Sequence, residues 1–173
     1  MRLEFEPNVT AFPLIENEHF EDIGHPASSD YNLLLKKGIS AAQNGERDHA
    51  RLLLAQAADA EPRSEDAWMW LASISDYPEE LLAFLDRVLD VNPENERAIE
   101  WRTATKSLLA KTFVQRAIAA HEGGSPELAA QCLDQALVHD YECEMAWFWK
   151  ASLAPDDDQK IECLNHVLQI DAE

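Results

Sequence analysis

The chain has 173 residues, 46% of them hydrophobic, and a formal net charge of −19. That length suits one domain or one short array of repeats, and it is enough to bury a core. The acidic balance excludes direct nucleic-acid binding and attraction to anionic lipid as expectations, and it suits either a basic partner or simple solubility.

Residues 1–29 read as an extended or irregular N-terminal segment. They show no basic region followed by an apolar run, so no signal peptide is expected there. Yet Leu3, Phe5, Phe12, Leu14, Ile15, Phe20 and Ile23 are too apolar for an idle tail. From there on glycine is scarce and alanine and leucine are plentiful, which favours helix over sheet.

A first helix is expected from near Asp30, its cap, to Asn44. Gly45 follows, a residue that takes a left-handed turn without steric cost. A second helix from about Glu46 to Asp59 sets Ala50, Leu53, Leu54, Ala57 and Ala58 on one apolar face. Pro62 ends it. Ser64 caps a third helix, which carries AWMWLAS (67–73). DYPEE breaks that helix, with Asp76 as the next cap and Pro78 in a first turn. The fourth helix carries Leu81, Leu82, Leu85, Val88 and Leu89 and stops at NPEN. No Pro or Gly then occurs before Gly123, so this stretch is one helix of about 27 residues or two with a kink. SPELAAQCLDQAL opens on Ser125 as cap and Pro126 in the first turn. ECEMAWFWKASL carries a second tryptophan pair, and PDDDQKIECLNHVLQI forms the last helix.

These elements repeat. At an offset of 79, residues 39–94 align with 118–173 without a gap, and 17 of the 56 pairs are identical. Composition alone gives roughly three or four. The identities include Gly45/Gly124, Ala50/Ala129, Leu54/Leu133, Trp68/Trp147, Trp70/Trp149, Leu85/Leu164 and Val88/Val167. The repeat domain, 30–173, therefore divides into copy one (31–95), an inter-copy helix (96–109) and copy two (110–173).

Paired helices with alanine at the crossing, glycine at the inner turn and proline after the second helix resemble the tetratricopeptide repeat (TPR). Trp68 and Trp147 fall at the family's aromatic position, and Ala72 and Ala151 at the small residue four later. Ala50, Ala129, Ala57 and Ala136 match the small positions of the second helix, and Pro62 and Pro93 the terminating proline. The resemblance spans four motifs, 31–64, 65–95, 110–143 and 144–173. It implies an all-α fold, a right-handed α–α superhelix of helical hairpins. Leu34 and Phe113 replace the large aromatic in the first and third motifs, and Tyr141 and Ala172 replace the terminating proline.

Residues two apart on a helix point about 200° apart, so the two rings of each W-x-W cannot share a face. Trp68 lies on the stripe with Leu71, Ala72 and Ser75. Trp70 lies opposite, with Ala67 and Ile74. Such helices are apolar nearly all round and need burial on several sides. The resemblance places Met69, Trp70, Ser73, Phe148, Trp149 and Ser152 on or near a concave partner-binding surface. Three covers for the outward tryptophans stay open: a neighbouring helix of the array, the chain's own residues 1–29, or a partner peptide.

Catalytic and metal motifs are missing. The six histidines are scattered, and none makes H-x-x-x-H or H-E-x-x-H. Asp156, Asp157 and Asp158 sit at a helix start, where carboxylates favour the helix dipole. Cys163 and His166 share a helix whose Leu164 and Val167 mark it as core packing. Cys132, Cys143 and Cys163 are odd in number with no C-x-x-C, which suits a reducing, cytoplasmic setting. No enzymatic activity, cofactor or metal is expected. A carboxylate clamp is disfavoured, because the groove-side positions Asn32, Leu35, Ile39, Asp66, Met69 and Ser73 hold no cation and copy two offers only Lys111.

The reading is a non-catalytic adaptor that binds a protein or peptide with a basic or amphipathic segment. The alternative is an acidic regulator or chaperone that masks a basic, nucleic-acid-binding partner. No membrane contact is expected. The ending QIDAE, where copy one continues into NERAIEWR, suggests self-association through the C-terminal end or a chain cut from a longer protein.

Overall fold

Eight helices follow one another along residues 29–170, the part of the chain that the computed structural model describes, and no strand occurs among the described residues. They are α1 (Ser29–Gln43), α2 (Arg47–Ala60), α3 (Glu65–Ser73), α4 (Pro78–Val91), α5 (Glu96–Glu122), α6 (Pro126–His139), α7 (Glu144–Leu153) and α8 (Asp157–Ile170). The chain is all-α and made of helical hairpins, as the repeat pattern implies. The stretch left open between one helix and two is a single helix of 27 residues, α5. The expectations for the N-terminal segment, and for Ala172, lie outside the described residues.

The helix ends show which local signals act. Gly45 has φ 80° and Gly124 φ 75°. Gly45 N donates to Ala42 O at 3.0 Å and Glu46 N to Ala41 O at 2.9 Å. Gly124 N donates to His121 O at 3.0 Å and Ser125 N to Ala120 O at 2.9 Å, the same pair of bonds one repeat later. Both α1 and α5 thus close in a Schellman turn that satisfies carbonyls otherwise left without partners. Ser64 caps α3 by accepting from Ala67 N at 3.2 Å. Asp156 accepts from Gln159 N at 2.9 Å at the start of α8.

Three expected caps differ. Asp30 lies inside the first turn of α1 rather than before it. Ser125 holds the N-cap position of α6 but makes no side-chain cap bond. Asp76 does not cap α4; the N-cap is Tyr77, and Asp76 instead pairs with Arg47 of α2 at 2.5 Å. Ser75 orders that turn, donating to Glu80 Oε2 at 2.7 Å with Tyr77 O 3.1 Å from the same hydroxyl.

The chain forms two compact units that divide between Arg102 and Thr103. The first unit holds two core clusters. One joins Tyr31, Leu35, Leu54, Ala57 and Leu71, and the other joins Met69, Leu85, Val88, Ala98 and Trp101. The second unit has one core, which includes Val114, Leu133, Ala136, Trp147 and Cys163. Helix α5 contributes Ala98 and Trp101 to the first unit and Ala110, Val114 and Ala117 to the second.

Replacing Gly45 or Gly124 with alanine forces a Cβ into the left-handed region and is expected to cost about 1 kcal/mol each. Urea denaturation of the single variants checks this. The two losses should be similar, because the two turns share one hydrogen-bond pattern.

Candidate interaction site

The short helix α3 is buried on more than one side. Trp68 packs against both core clusters of the first unit and stacks on Phe84 at 6.1 Å. Its indole Nε1 donates to Pro62 O at 3.0 Å. Trp70, on the opposite side, is half-buried against the cluster of Tyr31, Leu35, Leu54 and Leu71. Neighbouring helices of its own unit therefore cover part of that ring. Met69 is only 7% exposed and belongs to the cluster with Leu85, Val88, Ala98 and Trp101. Ser73 is half-buried, and its Oγ donates to Trp70 O at 2.7 Å. Leu35, considered above as a groove-side position, is fully buried.

The cover over Met69 has a defined anchor. Asn95 precedes α5, accepts from Ala98 N at 2.9 Å and donates to Glu65 Oε2 of α3, also at 2.9 Å. Asn92 donates to the same Glu65 oxygen at 3.0 Å. Arg102 then donates to Asp86 Oδ1 of α4 at 3.2 Å. These bonds fix the first two turns of α5 where Ala98 and Trp101 meet the α3–α4 hairpin. Sequence reasoning passed over both residues. Their signal was a small residue and a large aromatic one helical turn apart.

In the second unit, Trp147 is buried and its Nε1 donates to Tyr141 O at 2.8 Å. His166 stacks on it at 4.1 Å, Tyr141 meets it edge-on at 5.2 Å, and Lys150 Nζ lies 5.7 Å from the ring centre. Trp149 is half-buried, with His121 of α5 edge-on at 6.1 Å. Phe148 is 50% exposed, although it is the counterpart of buried Met69. Ser152 is exposed, and its Oγ donates to Phe148 O at 3.1 Å.

The six expected site residues therefore fall into three states. Met69 is packed inside; Trp70, Ser73 and Trp149 are half-buried; Phe148 and Ser152 are open. Both serine hydroxyls donate to carbonyls of their own helix, as short polar side chains do. Among the described residues no group of three or more His, Cys, Asp or Glu could hold a metal ion, and no helix is long and apolar enough to cross a membrane. Burial pushes the Cys163 thiol up, away from the thiolate form that a nucleophile needs.

Residues 35–96 match the family model of the tetratricopeptide repeat. The chain is a TPR-like helical repeat protein. Among solved structures it is similar to a MamA double mutant, at 13% identity over 84% of this chain and 97% of that one, with a TM-score of 0.40. It is also similar to MamA from Desulfovibrio magneticus RS-1, at 12% identity over 84% and 96%, TM-score 0.40. A third MamA crystal structure shares 14% identity over 82% and 77%, TM-score 0.35. A comparison with curated proteins finds no match.

The two counterparts should respond differently to truncation. Met69→Ala opens a buried site and is expected to cost about 2–4 kcal/mol. Phe148→Ala, at a half-exposed site, is expected to cost less than about 1 kcal/mol. Paired denaturant melts read the difference. Equal losses would mean that Phe148 is covered in solution.

Proposed function

We propose that this TPR-like chain is a non-catalytic interaction module, an adaptor that binds a protein or peptide segment within a larger assembly. The observation that carries the reading is Phe148, a large aromatic side chain held half in solvent on a repeat helix. Its place on helix α7 and its open ring favour binding, since an exposed aromatic adds little to folding. Trp149 and Ser152 share α7 with Phe148, and in the first unit Trp70 and Ser73 form the corresponding candidate strip on α3, with Met69 behind it in the core. Three free cysteines support a reducing, cytoplasmic setting.

Alanine at both Trp70 and Trp149 is expected to weaken capture of the native partner about tenfold or more. Circular dichroism and a melt establish that the double variant is folded. A folded double variant with unchanged partner binding rejects the aromatic surface.

The charge of −19 favours a second reading, an acidic regulator that masks a basic, nucleic-acid-binding partner. That reading expects affinity to fall steeply with salt, because the surface attraction is screened. A titration between low and high ionic strength that gives one constant affinity removes it.

A further inference from the structure

The outer face of the α7–α8 hairpin repeats a face that is closed in the first unit. On α3 and α4 that face is Met69, Ala72, Leu85 and Val88, and it clusters with Ala98 and Trp101 of α5. The counterparts on α7 and α8 are Phe148, Ala151, Leu164 and Val167, three of the four identical in type. Leu85 and Val88 are wholly buried, whereas Leu164 and Val167 are only half-buried. Beside them Ile161 is 57% exposed and Leu168 66%. Leu164 and Val167 pack on the second core from one side only, and Ile161 and Leu168 of α8 lie open among the described residues.

The charge pattern changes along with the cover. Glu80, Asp86 and Asp90 of α4 correspond to Gln159, Asn165 and Gln169 of α8. Three acids have become amides on the open hairpin of an otherwise strongly acidic chain. Pro78, Leu81 and Ala83 in turn correspond to charged Asp157, Lys160 and Glu162, so the charge gathers at the start of α8 and the Leu164–Leu168 end is left with amides beside apolar side chains, as in a protein interface. The anchor, however, is kept: Glu144 is the counterpart of Glu65, and it is exposed. Glu65 accepts from the two asparagines that lead into α5.

We infer that the α7–α8 face is a docking site for a helix of a partner protein, and that the helix it takes resembles the start of α5. This rests on the interaction-module reading and names the partner's chemistry. The occupant is an amphipathic helix with a small residue and a large aromatic one turn apart, meeting Leu164, Val167 and Phe148. Its N-cap amide approaches Glu144. It needs no cation at the place of Arg102, because Asn165 stands where Asp86 pairs with that arginine. The chain's own residues 1–28 fit this role poorly. They contain no small-x-x-Trp segment, and their acids match the sign of Asp157, Asp158 and Glu162.

The probe is a synthetic peptide of residues 92–104, NPENERAIEWRTA, titrated into the 173-residue chain and followed by NMR. Saturable shifts are expected at Phe148, Leu164 and Val167. They should weaken about tenfold or more when the peptide carries alanine at its tryptophan, or when the protein carries Leu168→Glu. Leu168 is exposed, so that variant should melt like the parent, and Phe148→Ser serves as a second variant. Three results overturn the inference. In the first, no saturable shifts appear, or shifts appear only at Met69 and Leu85, where the peptide would replace α5. In the second, the chain sediments as a dimer that Leu168→Glu dissolves, which makes a second copy the occupant. In the third, Phe148 in the monomer is protected from hydroxyl-radical footprinting and the peptide does not bind, which makes residues 1–28 the occupant. The titration reads α7–α8 alone, so its failure is separate from a failure of the Trp70 and Trp149 double variant.

Discussion

A single hydrogen bond type organises each α2–α3-like corner of this chain. An indole ring covers a large apolar area and carries one N–H, which takes a hydrogen-bond acceptor where the ring packs. Trp68 finds Pro62 O at 3.0 Å, and Trp147 finds Tyr141 O at 2.8 Å. Both acceptors lie just past the C-cap of the preceding helix, where carbonyls have no intrahelical donor. The bond therefore solves two problems at once and fixes the following helix against the preceding one. It also explains why tyrosine can stand where proline is usual: the corner uses the carbonyl, which every residue has. The Tyr141 side chain is then free to meet Trp147 edge-on and to approach His166.

Once the tryptophan is pinned, the directions of its neighbours follow from helix geometry. Trp70 is turned toward the cluster of Tyr31 and Leu54, while Met69 joins Leu85 and Trp101. A helix of nine residues thus serves two cores. That is why AWMWLAS has no polar face, and why the doubled tryptophans are first a packing device. The same logic in α7 leaves one side without a partner among the described residues, because Phe148 occupies the Met69 position without an Ala98–Trp101 pair over it.

Much of this was legible. The 79-residue offset alone identified the hairpins, since identical residues at Gly45/Gly124 and Trp68/Trp147 mark identical turns and cores. Ser64 could be read as a cap because its bond to Ala67 N is local. Asp76 could not, because Arg47, which draws its carboxylate away, is 29 residues distant in sequence. Helix α5 resisted reading for a related reason. Its apolar residues change face along its length, with Ala98 and Trp101 serving one unit and Val114 and Ala117 the other, so no single stripe runs through it. The candidate surface was less legible than the fold. Repeat position predicted Met69 and Phe148 to be alike, and what separates them is a helix that belongs to neither heptapeptide.

The difference between the copies has a direction. Duplication supplies two equal faces, and the first is closed by α5 through Asn92, Asn95 and Glu65. A second face released from that contact would ordinarily gain charge, since exposed leucine and isoleucine lower solubility. Here Asp86 and Asp90 correspond to Asn165 and Gln169, and Ile161 and Leu168 remain apolar and open. In a chain with 33 acids the surface has ample means to place charge. The Leu164–Leu168 end, which stays apolar where acids give way to amides, has the composition of a face that is covered when the protein works.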